Sequence, residues 1–326
     1  MNSYILFGFI NVFVTNGLHS ISIKHYPSVT EDKCGISRQS LLMNGVNHCF
    51  KWSSNNNVTT SVQNGRLAQP GEWPWIAFID IYKTFWGFKY DNRWCTGVIL
   101  NNNWIITAAH CLFIDSTISV RLVQDYSQHT SHSYGVDMYV INPNYTEFMK
   151  TRPGLEQAYD IALLKLSSII SMTTTLQSTV GRYPLVNAIC LPDRDSVNTD
   201  KELALFAGFG NIDENYVINL GPLRTGWLRM NEPTNNVSDR WTYFIKSNRY
   251  PIIDGLNLCS VSLCDSGGPL IQYEFDSQRA VLIGLGIRQW PANISTGCPP
   301  RVADSGSIFV RLSKHIDWII NTVTAH

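Results

Sequence analysis

One short stretch, Leu263–Leu270 with the sequence Leu-Cys-Asp-Ser-Gly-Gly-Pro-Leu, constrains this chain more than any other. Ser266 is followed by two glycines, so its hydroxyl has no bulky neighbour on that side and the backbone bends at low cost. Such a stretch presents a nucleophile to a substrate. Because serine is a weak nucleophile near neutral pH, this interpretation requires a histidine base and an orienting carboxylate elsewhere in the chain.

Both partners are found upstream of the serine. His110 lies in Ile106–Cys111 (Ile-Thr-Ala-Ala-His-Cys), and Asp160 lies in Tyr159–Leu164 (Tyr-Asp-Ile-Ala-Leu-Leu). Taken singly, each motif has a structural explanation: the serine shapes a turn, the histidine is a satisfied core residue and the aspartate caps a strand. Together they occur in the order histidine, aspartate, serine, at separations of 50 and 106 residues, which makes coincidence improbable.

These three motifs resemble the chymotrypsin/trypsin-like serine protease family, and the resemblance extends from Val62 to the C-terminus. The order of the three residues distinguishes this arrangement from subtilisin and from the α/β-hydrolases. The resemblance implies a peptidase domain over residues 62–326 in which Ser266 attacks the peptide carbonyl, His110 accepts its proton and Asp160 orients the imidazole. A lipase or esterase is disfavoured by the triad order and by the absence of a Gly-x-Ser-x-Gly motif.

The hydrophobic pattern predicts an all-β protein. Alternating apolar residues separated by turn residues predict antiparallel strands, namely Trp75–Tyr82, Trp94–Ile106, Thr117–Val123 and Tyr134–Ile141. The family resemblance implies two six-stranded antiparallel β-barrels packed face to face, the second entered at Ala207–Gly210. A C-terminal α-helix is predicted over Ser313–Thr324, because its isoleucines and Val323 lie on one helical stripe.

The composition and the N-terminal sequence favour an exported protein. The 326 residues carry 25 basic and 25 acidic side chains and no long run of one charge, so neither a nucleic-acid nor a membrane partner is expected. The apolar run Ile5–Val14 is too short to span a bilayer and predicts a signal peptide over residues 1–20. This predicted signal peptide and the even number of cysteines, eight, together predict a secreted, extracellular chain. Four N-glycosylation sequons agree with export: Asn57, Asn144, Asn236 and Asn293.

Residues 21–61 show little periodicity and are interpreted as a pro-segment or, alternatively, as an N-terminal extension that is never removed. The resemblance implies a cut before Val62, whose new α-amino group would turn inward and pair with Asp265. A buried ammonium is costly unless paired, so this ion pair would hold the loop around the serine in its working shape. Ser61 precedes the cut, so the activating protease is not expected to be trypsin-like.

The resemblance also assigns cysteine pairs. Cys95 and Cys111 match the bridge that holds the histidine loop. Cys190 matches the cysteine that tethers the pro-segment, with Cys34 as its expected partner and Cys49 as the alternative. Each of these pairs would close a loop and so restrict the unfolded chain.

The loop around the serine departs from the family pattern. Cys264 occupies the place of the glycine whose N–H forms half of the oxyanion hole, the other half being the N–H of Ser266. Alternatively, Cys264 is a displaced bridge cysteine in a shortened loop. The rim cysteine Cys298 therefore has two candidate partners, Cys259 and Cys264. In either arrangement the oxyanion hole is altered, and one lost donor costs on the order of 10²–10³ in rate.

The specificity pocket departs as well. Counting back from the nucleophile places Ser260 at the pocket floor, and no acidic residue lies between Gly255 and Cys264. A preference for arginine or lysine is therefore not expected. The strand that should bind the substrate backbone corresponds to Gly286–Pro291, in a register that the sequence leaves open.

Two functions are compatible with these features. The first is a secreted, zymogen-type serine endopeptidase that cleaves after apolar or small residues. The alternative is a catalytically impaired homologue that acts as a binding or regulatory protein. We expect a monomer whose partners are a protein or peptide substrate, an activating protease and a protein inhibitor, with no cofactor and no metal.

Overall fold

The computed structural model describes most of the chain in segments, as follows: residues 26, 29–43, 66–86, 88–122, 133–178, 181–194, 203–209, 223–230, 242–246, 252–253, 256–257, 266–274, 277–290 and 306–326. None of the helices in these segments has the length and apolar character needed to cross a bilayer. The predicted signal peptide, residues 1–20, lies outside the described residues.

The described residues form seventeen strands and three α-helices. The elements of the N-terminal half are α1 (Arg38–Met43), β1 (Arg66–Leu67), β2 (Ile76–Phe85), β3 (Phe88–Ile99), β4 (Trp104–Thr107), β5 (Thr117–Leu122), β6 (Tyr134–Ile141), α2 (Pro143–Thr151) and β7 (Ala162–Leu166). Those of the C-terminal half are β8 (Thr175–Ser178), β9 (Gly181–Pro184), β10 (Leu203–Gly208), β11 (Arg224–Arg229), β12 (Thr242–Lys246), β13 (Ile252–Ile253), β14 (Leu256–Asn257), β15 (Pro269–Tyr273), β16 (Ala280–Trp290), β17 (Gly306–Arg311) and α3 (Ile316–Ala325).

Strands β2 to β7 close into an antiparallel barrel in the order β2-β3-β4-β7-β6-β5. Apolar side chains on alternate positions fill its interior, since successive residues of a strand point to opposite faces. Fully buried examples that share one face of the barrel sheet are Ile79, Ile105, Val120 and Leu164. The first of the two predicted six-stranded barrels is therefore present.

The predicted strand Trp94–Ile106 is divided in two. The side-chain oxygen of Asn101 accepts hydrogen bonds from the backbone amides of Asn103 and Trp104, each at 2.9 Å. An asparagine that bonds to amides two and three residues on forms a tight turn. This turn ends β3 and starts β4.

The second unit is a seven-stranded antiparallel sheet in the order β1-β11-β10-β15-β16-β17-β12. The sheet has seven strands and not the predicted six, because the short strand β1 joins one edge. There Arg66 pairs with Thr225. Phe78 of the barrel and Phe209, just after β10, pack edge to face with ring centroids 5.7 Å apart. The all-β fold class is confirmed.

The C-terminal helix is also confirmed, although it begins later than predicted. A 3-10 turn over Leu312–Lys314 precedes α3. Ile316, Ile319 and Val323 are buried on one side of this helix and Ile320 is half-buried. The helix therefore docks through the stripe that the sequence predicts.

The described part of the N-terminal segment, residues 29–43, packs into the body of the protein. Cys34 forms a disulfide bond with Cys190. Gly35 donates its N–H to Ala188 O at 2.8 Å and accepts the N–H of Ala280 at 2.9 Å. Gly35 has a φ of +71°, and a Cβ atom there would overlap Ala280 O, so only glycine suits this position. This segment is thus part of the folded core and not a loosely tied extension.

Candidate active site

His110 lies between Asp160 and Ser266 and contacts both. Its Nε2 is 2.8 Å from Ser266 Oγ, and its Nδ1 is 2.7 Å from Asp160 Oδ2. The backbone N–H of His110 donates to the other carboxylate oxygen of Asp160 at 2.9 Å. Asp160 is 5% exposed, whereas the His110 side chain is 32% exposed. The carboxylate is thus shielded from water, while the imidazole is partly accessible to solvent.

The end of strand β4 positions the histidine. Thr107 and Ala108 are fully buried, and the chain then makes a 3-10 turn over Ala109–Cys111. Cys111 is bonded to Cys95 of β3, which fixes this turn against the neighbouring strand. The pairing is the one that the family resemblance implies.

A second 3-10 turn, Glu156–Tyr159, leads into Asp160 just before β7. His315, at the start of α3, donates its Nε2–H to the carbonyl oxygen of Ala158 in this turn at 2.9 Å. Burial lowers the pKa of His315 to about 4, and the hydrogen bond to Ala158 opposes this shift only in part. His315 is therefore neutral near pH 7, and it anchors the turn that carries the aspartate.

Tyr145 of α2 faces the acidic side of the site. Burial raises its pKa above the ordinary value, and the negative charges of Asp160 and, less strongly, of Glu156 raise it further. Its phenol therefore remains protonated and adds no negative charge beside Asp160.

The backbone around Ser266 is held by both units of the fold. The carbonyl oxygen of Ser266 accepts the N–H of Thr96 in β3 at 2.8 Å. Gly267 donates to the carbonyl oxygen of Gly286 at 2.7 Å, and Gly286 donates back to Gly268 at 2.9 Å. The serine is thus clamped between the barrel strand β3 and the sheet strand β16.

Gly267 adopts a φ of +78°, which side-chain-bearing residues rarely tolerate. A Cβ atom at this position would overlap Thr96 O and Thr107 Oγ1. The hydroxyl of Thr107 itself donates to Thr96 O at 2.8 Å. These two threonines pack against the residue that follows the nucleophile; Thr107 lies in the histidine motif, whereas no motif in the sequence marks Thr96 as functional.

Strand β16, which includes most of the segment expected to bind the substrate backbone, contains a bulge. Gly286 pairs with Phe309 and Arg288 pairs with Ile308, so Ile287 is an additional residue and forms a bulge.

Asn144, the asparagine of one predicted sequon, lies in the first turn of α2 and is partly exposed. Its backbone N–H donates to Asn142 Oδ1 at 3.1 Å.

Several predicted site residues lie outside the described part of the chain. They are the oxyanion residue Cys264, the activation pair Val62 and Asp265, the pocket residue Ser260, the cysteines Cys49, Cys259 and Cys298, and the sequons at Asn57, Asn236 and Asn293. Their assignments stay predictions.

Within the described residues, Cys95, His110 and Cys111 bring three ligand-type atoms within 4.8 Å of one another. Both cysteines are consumed in one disulfide bond, so neither offers the thiolate that metals bind. This cluster does not suit a metal ion.

Comparison with known proteins agrees with this geometry. The sequence profile of the trypsin family matches residues 62–310. The chain is 28% identical over 280 residues to the serine proteinase stubble of Drosophila melanogaster, covering 81% of this chain and 31% of that protein. Limulus clotting factor C of Carcinoscorpius rotundicauda is 26% identical over 288 residues, or 79% of this chain and 25% of that protein.

Ovochymase of Halocynthia roretzi is 25% identical over 271 residues, which are 80% of this chain and 15% of that protein. The chain thus spans less than a third of the length of each of these relatives. The family profile covers most of the chain and includes all three residues of the hydrogen-bonded triad. The chain therefore belongs to the trypsin-like serine protease family.

Proposed function

We propose that the protein is a serine endopeptidase that hydrolyses peptide bonds through an acyl-enzyme on Ser266. The observation that carries this proposal is the unbroken series of hydrogen bonds from Asp160 through His110 to Ser266, at 2.7 and 2.8 Å. This is the geometry that a serine needs if a histidine is to take its proton as it attacks.

In the proposed mechanism, Ser266 Oγ attacks the scissile carbonyl carbon while His110 Nε2 takes the hydroxyl proton. The tetrahedral intermediate collapses when the imidazolium gives that proton to the leaving amine, and the acyl group stays on Ser266. Water, deprotonated by the same nitrogen, then attacks the ester and releases the acid. Asp160 accepts from Nδ1–H throughout, which fixes the tautomer and stabilises the imidazolium.

The oxyanion would be bound by the backbone N–H groups of Ser266 and Cys264. Gly267 is unsuited to this role because its N–H already donates to Gly286. Cys264 replaces the glycine of the family pattern, and this substitution supports a second candidate: a homologue that binds polypeptides without cleaving them.

We infer a preference for apolar or small residues at the cleavage site and not for arginine or lysine. The support is the sequence from Gly255 to Cys264, which contains no acidic side chain, with Ser260 at the inferred pocket floor. A buried cation in the substrate would therefore lack a carboxylate partner there.

We also propose export and activation by a cut before Val62. The N-terminal apolar run, the four sequons and the disulfide bonds support export. The bond between Cys34 and Cys190 would keep residues 29–43 attached after such a cut, so the active form would contain two chains.

Labelling with a fluorophosphonate tests the proposal, because this reagent reacts with an activated serine. Full-length protein is cut selectively before Val62, and labelling is measured before and after, with Ser266→Ala as the matched control. Labelling of Ser266 only after the cut supports a zymogen. A correctly cut protein that does not label contradicts the enzyme and leaves the binding homologue.

A further inference from the structure

The hairpin formed by β2 and β3 extends beyond the barrel and ends in four exposed aromatic residues. Phe85, Trp86, Phe88 and Tyr90 are 68%, 86%, 78% and 49% exposed, and we call them the aromatic tip. Aromatic side chains normally bury 150–250 Å² each, so four of them in water forgo a large hydrophobic stabilisation. Clustered exposed apolar surface of this kind marks an interaction site.

Trp86 is placed against its conformational preference. It has a φ of +52°, and it occupies the first of the two residues between the paired Phe85 and Phe88. Two-residue hairpin turns of this type favour asparagine, aspartate or glycine, and a bulky residue at positive φ is strained. Its ring packs against that of Phe85 in an edge-type arrangement, with ring centroids 6.2 Å apart. The fold therefore gains little from a tryptophan here.

One face of the hairpin carries three of the aromatic side chains and contacts the chain segment that follows His110. Phe85 pairs with Phe88 and Lys83 pairs with Tyr90, so these four side chains share one face of the ribbon. Lys83 Nζ lies 5.3 Å from the ring centre of Phe113, and the guanidinium of Arg93 lies 4.8 Å from it. Phe113 follows His110 by three residues. These cation–π contacts connect the hairpin to the loop of the catalytic histidine.

This face lies on the leaving-group side of the proposed reaction. His110 must give its proton to the leaving amine, so the substrate residues after the scissile bond depart along the His110 side. The same side carries the bond between Cys95 and Cys111 and, beyond it, Phe113. A polypeptide leaving the cleft in this direction meets Phe113 and then the aromatic face of the hairpin.

We propose that the aromatic tip and Lys83 form a secondary binding site for an apolar, acidic segment of a protein substrate, downstream of the scissile bond. This inference rests on the proposed protease function and names the kind of substrate that the enzyme would select. A long polypeptide would engage the cleft and the tip together, which raises the effective concentration of the scissile bond.

The charged side chains of the hairpin favour a polypeptide over an anionic membrane as the ligand of the aromatic tip. Lys89 pairs with Asp80 at 3.3 Å and Arg93 pairs with Asp91 at 3.3 Å, so two of the three cations are neutralised locally. Lys83 has no carboxylate partner among the described residues, which suits one acidic side chain of a ligand. Attraction to anionic lipid requires several unpaired cations, each contributing on the order of 1 kcal/mol.

The distance between the aromatic tip and the nucleophile sets the number of substrate residues expected between the scissile bond and the tip. Phe88 precedes Thr96 by eight residues along β3, and Thr96 contacts Ser266. At about 3.3 Å per residue, the tip lies roughly 26 Å from the nucleophile along the strand. An extended substrate therefore reaches the tip roughly eight residues after the scissile bond.

The test uses activated full-length protein and two fluorogenic peptides made around a cut site first mapped in denatured casein. One ends about three residues past the cut, and the other continues for about twelve, with Phe, Leu and Glu placed roughly eight to ten residues past it. We expect about tenfold higher kcat/KM for the long peptide, through a lower KM. Trp86→Asn and Phe85→Ser/Phe88→Ser should remove this advantage and leave the short peptide unaffected.

Trp86→Asn also controls for folding, because asparagine suits the turn and should keep or raise the melting temperature. Ile169→Ser, which removes an equally exposed apolar side chain outside the hairpin, should keep the full advantage. The proposal is overturned if the wild type does not discriminate between the peptides, if the tip variants lose both substrates equally, or if Ile169→Ser has the same effect.

A binding experiment with an inactive variant tests this proposal independently of the protease assignment. Ser266→Ala protein is titrated into a fluorescein-labelled twelve-residue peptide, roughly the reach estimated above, rich in Phe, Leu and Glu. Binding that weakens about tenfold with Trp86→Asn supports the site even if the wild type proves inactive. Tip-dependent pelleting with phosphatidylserine vesicles, or tip-dependent dimerisation in sedimentation, without peptide binding would overturn it in favour of a membrane or a second copy.

Discussion

The backbone N–H of Thr96 donates to the carbonyl oxygen of Ser266 at 2.8 Å. Thr96 belongs to the barrel that carries His110 and Asp160, whereas Ser266 leads into strand β15 of the other unit. One backbone hydrogen bond thus joins the nucleophile to the unit that carries its base. Small displacements at this contact should matter, because a misplacement of about 1 Å can cost roughly 100-fold in rate.

Gly267→Ala should displace the nucleophile. The new methyl group would overlap Thr96 O and Thr107 Oγ1, which belong to the barrel and have little room to move. We expect a loss of about 2 kcal/mol or more in the free energy of unfolding and about 100-fold slower fluorophosphonate labelling. Gly154→Ala is the matched control, since Gly154 also has a positive φ but no atom within 4 Å of the added Cβ. Equal effects of both substitutions would show that packing against the barrel is unimportant.

Asp160→Asn should preserve the shape of the site and remove its charge. The amide oxygen can still accept from the His110 N–H, but the amide nitrogen cannot accept from Nδ1–H. The imidazole would then adopt the wrong tautomer, and we expect kcat to fall by about 10³–10⁴-fold with the melting temperature nearly unchanged. Rates of peptide hydrolysis by the variant and the wild type, compared under the same conditions, measure this loss. A loss of less than about tenfold would contradict the orienting role.

Acid should destabilise the protein through His315. Burial lowers its pKa from 6.5 to about 4, so between these values the unfolded chain binds a proton that the folded chain does not. The free energy of unfolding therefore falls as pH falls through this window, by up to about 3 kcal/mol for this group. Urea denaturation at pH 7, 5 and 4 measures the decline. His315→Gln keeps a donor for Ala158 without titrating, and an equally steep decline in this variant would assign the effect to other groups.

Removal of the bond between Cys34 and Cys190 should destabilise the native protein. The bridge spans 156 residues, and closing so long a loop restricts the unfolded chain strongly. We expect Cys34→Ser/Cys190→Ser to lower the free energy of unfolding by about 2–5 kcal/mol. Denaturation of the intact chain measures this. Unchanged stability would mean that the hydrogen bonds of Gly35 suffice to hold residues 29–43.

The sequence motifs and the family resemblance were sufficient to predict the contact among His110, Asp160 and Ser266 and the first barrel. His110, Asp160 and Ser266 lie in short motifs whose chemistry is local, and strand β6 has the same bounds as its alternating pattern. Cys34 and Cys190 could be paired only through the family resemblance, because nothing local to either residue indicates its partner.

Contacts between distant residues that lie outside any recognised motif were not predictable. His315 reaches Ala158 across 157 residues, and neither residue lies in a motif. Hairpin β2–β3 extends past Tyr82, where apolar alternation ends, because backbone pairing continues through exposed residues up to Phe85. The sequence of this extension does not alternate between apolar and polar residues, because the extension has no buried face.

The contact between Gly35 and Ala280 also has a consequence for how the molecule is made. Gly35 O can meet its donor only after residue 280 has been synthesised, 245 residues later, which at ribosomal speed takes on the order of ten seconds or more. The hydrogen bond between Gly35 O and the Ala280 N–H therefore forms after all the barrel strands have been synthesised, whereas the Gly35 N–H can already meet Ala188 O. The N-terminal segment therefore gains its full set of backbone hydrogen bonds only after both halves of the protein exist.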